Sequence, residues 1–159
     1  MVGMAKFFLD LTAKESCGKC VHCRIGTMRM LEILERITEG KGKEGDIELL
    51  EELCSSIKDG ALCGLGQTAP NPVLTTIRYF RNEYEDHIKN KKCSAGECTA
   101  LVKYSIDPSA CRGCTLCARN CPVKAIEGEV KKPHSINTMV CIKCGKCKSV
   151  CKFGAVKLS

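Results

Sequence analysis

Cys111-Arg112-Gly113-Cys114-Thr115-Leu116-Cys117-Ala118-Arg119-Asn120-Cys121-Pro122 is followed, at an offset of 30, by Cys141-Ile142-Lys143-Cys144-Gly145-Lys146-Cys147-Lys148-Ser149-Val150-Cys151-Lys152. These two runs decide the fold. Three thiolates spaced two residues apart can wrap one face of an iron–sulfur cubane, and the fourth vertex must come from elsewhere. Where two such runs share a chain, the fourth cysteine of each serves the cluster of the other. The spacing therefore assigns Cys111, Cys114, Cys117 and Cys151 to one [4Fe-4S] site, and Cys141, Cys144, Cys147 and Cys121 to a second. Lys152 stands where the first run has Pro122, which alters loop stiffness but removes no ligand. Zinc is the alternative, but it normally takes separated Cys-x2-Cys pairs.

The repeat extends beyond the cysteines. Ser105-Ile106-Asp107 matches Ser135-Ile136-Asn137, and Ala125-Ile126 matches Ala155-Val156. Each half reads as a short strand, a cysteine-rich loop with a helical turn, and a second short strand, the layout of a bacterial-type two-cluster ferredoxin domain over residues 100–159. Residues 1–90 read differently. Met4, Phe8 and Leu11 mark a first helix; Ile25, Met28, Leu31, Leu34 and Ile37 a second; Ile47, Leu50, Leu53, Cys54 and Ile57 a third. Asn71-Pro72 reads as an N-cap with proline at the first helical position, opening a fourth stripe of Val73, Ile77, Phe80, Tyr84 and Ile88. The expected fold class is α+β: a small four-helix bundle, a linker at 91–99, then the ferredoxin domain.

Fifteen cysteines in 159 residues means disulfides or metal. The odd total, the tight runs and the lack of a secretory pattern at Met1–Asp10 favour metal in a reducing, cytoplasmic setting. No apolar run is long enough to span a bilayer. The formal charge of +7 counts cysteines as neutral. Three clusters, each about −2 with its thiolates, leave roughly +1. With only 4% aromatic residues, stacking platforms are scarce and no nucleic-acid partner is expected. Nothing has the nucleophile–base arrangement of a hydrolase or transferase, so the chain is not expected to be a catalyst by itself.

A third site is visible in the helical segment. Cys17, Cys20 and Cys23 repeat the two-residue spacing, and Cys63 in Leu62-Cys63-Gly64-Leu65-Gly66 is the natural fourth ligand. Cys54 is its rival, although it shares a helical stripe with Leu50 and Ile57 and reads as a buried, inert thiol. Cys93 and Cys98 are left over. With His134, set slightly ahead of His87, they form a candidate zinc site at the linker, the bland alternative being two free thiols.

Glu15-Ser16-Cys17-Gly18-Lys19-Cys20-Val21-His22-Cys23-Arg24-Ile25-Gly26, with Cys63-Gly64-Leu65-Gly66 and Arg78–Ile88, resembles the cluster-binding helical domain of complex I's NADH-oxidising flavoprotein subunit. The resemblance places the fourth ligand on Cys63. His22 stands where the respiratory branch usually has proline. The appended ferredoxin makes the chain similar to the C-terminal third of the related subunit of NAD(P)-linked, often electron-bifurcating iron hydrogenases. That implies an electron-transfer portion of a longer chain, with FMN and NAD(P) bound outside these residues. It also implies partners among the redox subunits of a hydrogenase or NADH dehydrogenase-like complex. A zinc-bound structural adaptor is the competing reading.

Overall fold

The structure, a computed structural model, describes residues 1–158. It divides into two compact units, Met1–Leu101 and a second beginning at Val102.

The first unit is helical: α1 (Val2–Glu15), α2 (Val21–Thr38), α3 (Asp46–Gly60), α4 (Gly64–Thr68), α5 (Asn71–Glu85) and a π-helical turn, Asp86–Asn90. The sequence pattern predicts only four helices. The extra elements, α4 and the π turn, are each five residues long and too short to display a stripe. α1 packs on α2 and α5, and α3 on α2, α4 and α5. Their shared core holds Leu9, Met30, Leu34, Leu50, Ile77 and Tyr84, all essentially inaccessible. The Tyr84 hydroxyl is satisfied by Thr76 Oγ1 at 2.8 Å, as a buried polar group requires.

Three of the expected faces need correction. In α1 the inward residues are Val2, Ala5 and Leu9, while Met4, Phe8 and Leu11 are exposed. In α2 Ile25 and Met28 are exposed, and Met30, Ile33, Leu34 and Ile37 are buried. A strict spacing of three falls about 60° behind each full turn, so a long run of it winds around the helix. Its C-terminal end, Leu34 and Ile37, is buried in the core, with Leu31 half-buried against it. The stripe of α3 is buried as expected at Ile47, Leu50, Cys54 and Ile57. In α5 Val73, Ile77 and Tyr84 face inward, but Phe80 departs from helical geometry (φ −133°, ψ 34°) and turns out to solvent. Pro70 precedes the first turn of α5, putting Pro72 one position further in than the expected first place.

Between α2 and α3 the Asp46 carboxylate is almost completely buried against the Arg36 guanidinium, and the Lys43 amide donates to it at 2.9 Å. Burial pushes the Asp46 carboxyl up, but the Arg36 and Lys43 hydrogen bonds outweigh it and hold the group below its ordinary range. After α5, Leu101 packs onto Gly40, tying the segment behind the π turn to the helices.

The second unit has four short strands: β1 (Tyr104–Ile106), β2 (Ile126–Glu127), β3 (Ser135–Ile136) and β4 (Val156–Leu158), with single-turn helices α6 (Leu116–Arg119) and α7 (Lys146–Val150). β1 pairs antiparallel with β4, Ile106 opposite Val156, and β2 with β3, Ile126 opposite Ile136. Both pairings join one half of the repeat to the other. The backbone repeats too. The Asp107 amide donates to the Ala155 carbonyl at 2.8 Å, and that of Asn137 to Ala125 at 2.7 Å. Each side chain then caps the turn leading into its cysteine run, at Ser109 and Met139 respectively.

Candidate metal centres

Each run of the second unit is wound by one backbone device. Gly113 and Lys143, Thr115 and Gly145, and Lys124 and Gly154 are repeat-related pairs, and all six have positive φ, between 51° and 74°. Left-handed residues set among right-handed ones turn amide N–H groups into a common concavity, which suits anions. At Gly113 the absence of a side chain is obligatory, because a Cβ would lie 2.5 Å from the Lys132 amide nitrogen.

The cysteines converge in two cavities. Cys111, Cys114, Cys117 and Cys151 line one, walled by Ile106 and Phe153. Cys141, Cys144, Cys147 and Cys121 line the other, beside Tyr104 and Ile136. In both, three thiols come from one run and the fourth from the other. Amides already point at sulfur: Ala125 donates to Cys121 Sγ at 3.3 Å and Lys143 to Cys141 Sγ at 3.4 Å. Burial raises the Cys117 and Cys147 thiols, with neighbouring cysteine charges adding to it. Burial also acts on Cys151, but the amides of Phe153, Ala155, Val156 and Gly154 outweigh it and favour the thiolate. A sulfur-only donor set with amide donors around it fits an anionic iron–sulfur cluster.

In the helical unit, Cys17 and Cys20 sit on the loop before α2, and Cys23 is buried in its first turn, with Ser16 Oγ 3.4 Å from its sulfur. Cys63 immediately precedes α4 and is exposed. Gly66, one turn on, lies against Ala61 and Cys23: a Cβ there would meet them at 2.6 and 3.4 Å. The close packing brings the start of α4 to the start of α2, where the cysteine triplet ends. Cys54 is placed otherwise. It is inaccessible in the core, its sulfur 3.9 Å from Met30 Sδ and from the Pro70 carbonyl, and burial pushes its thiol up to about 12. His22 is exposed, its ring packed over Gly60.

The leftover cysteines meet a histidine. His87, Cys93 and Cys98 present ligand atoms that all lie within 4.8 Å of one another. The π turn carries His87 and Ile88 inward together. His87 Nδ1 donates to the Glu83 carbonyl at 2.6 Å, which leaves Nε2 facing Cys98 Sγ at 3.4 Å. A ring whose other nitrogen is held by a carbonyl is oriented as metal-ligating histidines are. Burial, with the neighbouring Cys93 charge, raises the Cys98 thiol to about 12. At Cys93 burial is outweighed by hydrogen bonds from Cys98, Glu97 and Gly96, which lower it. His134 belongs to the second unit instead, where its ring lines the cavity of Cys111, Cys114, Cys117 and Cys151. The chain separation between His87 and the two cysteines carries no sign of the π turn that joins them. For His134, its alignment with Tyr104 in the repeat is the available signal, since Tyr104 lines the second cavity.

Known proteins with related sequences extend over both units. A family model described as the NADH-ubiquinone oxidoreductase-F iron-sulfur binding region matches residues 3–87, and one described as a 4Fe-4S dicluster domain matches 103–152. The chain is 58% identical over 98% of its length to the NADP-reducing hydrogenase subunit HndC of Solidesulfovibrio fructosivorans, of which it spans 32%. It is 41% identical, over 53% of its length, to the F subunit of the NADH-quinone oxidoreductase of Streptomyces coelicolor, of which it spans 19%. Among solved structures, an NAD+-reducing [NiFe]-hydrogenase in the H2-reduced state matches 55% of this chain and 15% of that one, with a TM-score of 0.53 and 33% identity. The chain thus spans a third or less of these relatives. These matches show the family: the chain belongs to the NADH-ubiquinone oxidoreductase-F iron-sulfur binding region family, with a 4Fe-4S dicluster domain following it.

Proposed function

We propose that the chain is an electron-relay module holding three [4Fe-4S] clusters in the cytoplasm. In this reading it connects a flavin and NAD(P)H site outside these residues with another redox partner of a hydrogenase-type complex. The observation that carries it is the pair of cavities, each lined by three thiols of one run and the fourth of the other. Cys111, Cys114, Cys117 and Cys151 hold one cluster, Cys141, Cys144, Cys147 and Cys121 the second, and Cys17, Cys20, Cys23 and Cys63 the third. When bound, such clusters supply one-electron transfer without rearrangement of covalent bonds. The chain's own part is to supply thiolates, to aim amides at sulfur and to keep water from the buried faces. The name of the hydrogenase relative supports the partner class. No helix among the described residues is long and apolar enough to cross a membrane.

His87, Cys93 and Cys98 supply three of the four ligands of a structural zinc site, which would hold the segment after α5 to the helices. This geometry is what favours a second reading, a zinc-bound adaptor. Iron and labile-sulfide analysis of the anaerobically purified chain separates the two. The relay requires about twelve of each per chain. Near-zero iron with stoichiometric zinc would establish the adaptor.

A further inference from the structure

In the repeat unit the amides of Ala125 and Lys143 are aimed at cysteine sulfur, and backbone donors of that kind cannot be deleted by substitution. In the helical unit a side chain approaches the sulfur. Ser16 is the first residue beyond α1 and adopts an extended conformation (φ −65°, ψ 126°). Its half-buried side chain reaches the first turn of α2, where Oγ lies 3.4 Å from Cys23 Sγ. Cys23 is only 5% exposed, so little water competes for that sulfur. The same oxygen accepts the Gly18 amide at 3.3 Å. Gly18 is left-handed (φ 75°), and Arg24 Nη1 donates to its carbonyl at 2.9 Å. The loop is thus held at both polar groups of Gly18, and the Ser16 hydroxyl is held with it.

We propose that the Ser16 hydroxyl donates its proton to Cys23 Sγ and thereby raises the reduction potential of the cluster held by Cys17, Cys20, Cys23 and Cys63. This rests on the three-cluster reading. The direction of the bond follows from the chemistry of the ligand. A cysteine bound to iron is a thiolate and has no proton to give, so of the two atoms only the hydroxyl can donate. The Gly18 amide occupies a lone pair of the same oxygen and leaves the hydroxyl proton for the sulfur. Reduction adds one negative charge to the cluster, and part of it falls on the thiolate sulfurs. A donor at Cys23 Sγ therefore stabilises the reduced form more than the oxidised form. Ser16 is a positioning residue and not a ligand, since four thiols already supply the cluster.

The test is a potentiometric titration of the intact chain followed by electron paramagnetic resonance, with iron and sulfide counted in each sample. The signal missing from Cys63→Ser identifies the helical cluster. Ser16→Ala should keep full iron and move that signal to lower potential, leaving the other two unmoved. Ser16→Thr keeps a hydroxyl on the same carbon and should stay at the parent potential. Full iron with an unmoved potential in Ser16→Ala would overturn the proposal alone. Loss of the helical cluster's iron from Ser16→Ala would also overturn it, because Ser16 would then hold the loop and not tune the cluster. An equal shift in Ser16→Thr would do the same, since the hydroxyl would not be the cause. Absence of the helical cluster from the parent chain would overturn the three-cluster reading and this proposal together.

Discussion

The helical unit and the repeat unit place their cysteines on opposite sides of the same problem. In the first, Leu9, Met30, Leu34, Leu50 and Tyr84 close a core of ordinary side chains, and Cys17 and Cys63 lie exposed at its edge. In the second, the core cluster is Ile126 and Val156 together with Cys117 and Cys147, and among the described residues no strand exceeds three residues. Two-stranded ribbons of that size are marginal without further support. The helical unit is therefore a fold to which a metal site is attached, whereas the repeat unit is a metal site around which a chain is folded.

Removing iron and sulfide anaerobically should break this comparison open. Metal binding and folding are one equilibrium in small domains whose ligands make the core. We expect amide-exchange protection to vanish across residues 102–158 and to persist in α2, α3 and α5. Retained protection at Ile126 and Val156 in the iron-free chain would show that the second unit folds without its clusters.

The crossed thiol sets give the next largest effect. Cys151→Ser should remove about four irons and the signal of the cluster at Cys111, Cys114 and Cys117. It leaves Cys141, Cys144, Cys147 and Cys121, which line the other cavity. If the second run lost its cluster instead, each run would be self-contained. In the helical unit Cys63→Ser should cost a cluster and Cys54→Ser none, because the Cys54 thiol is enclosed in the core. Iron counts on the two variants read this directly.

How much of this could be read in the residues differs between the units for a physical reason. The repeat unit was legible as a dicluster domain, because cluster ligation fixes spacing and the offset of 30 copies it. The helices were legible as elements, but their faces were less so. Exposed Met4, Phe8, Ile25 and Met28 are apolar, and composition alone cannot tell an outward apolar residue from an inward one. The approach of His87 to Cys93 and Cys98 depends on a π turn, which no stripe encodes. The amide cradles arise from left-handed Thr115, Lys124 and Lys143, residue types that do not advertise that conformation.

A core substitution sharpens the contrast from the helical side. Leu34→Ala removes a completely buried side chain from the packing of α2 and should cost about 2–5 kcal/mol. Chemical denaturation followed by far-ultraviolet circular dichroism would measure it. The signals of the two clusters in the repeat unit should be unchanged in the folded variant. Loss of those signals at denaturant concentrations that leave the helices intact would contradict the independence of the two cores.

The smallest effect concerns Asp46, and the iron-free chain is the place to measure it, since acid destroys clusters and only the helices are then expected to be folded. The carboxyl is pushed up by burial, but its hydrogen bonds from Arg36 and Lys43 win, so its folded value lies below the unfolded one. A depressed carboxyl contributes stability that is fully present above the unfolded value, about 4, and is lost as pH falls through the folded value. Helix stability in the parent chain should therefore decline below about pH 4, more steeply than in Asp46→Asn, which has no proton to take up there. At neutral pH the same variant should be about 1–3 kcal/mol less stable, because the Arg36 charge loses its partner while the Lys43 amide can still donate to the Asn oxygen. The two stability curves should then converge towards low pH. Curves that stay parallel from pH 7 down to pH 2 would mean that Asp46 holds α2 and α3 together by packing and not through its charge.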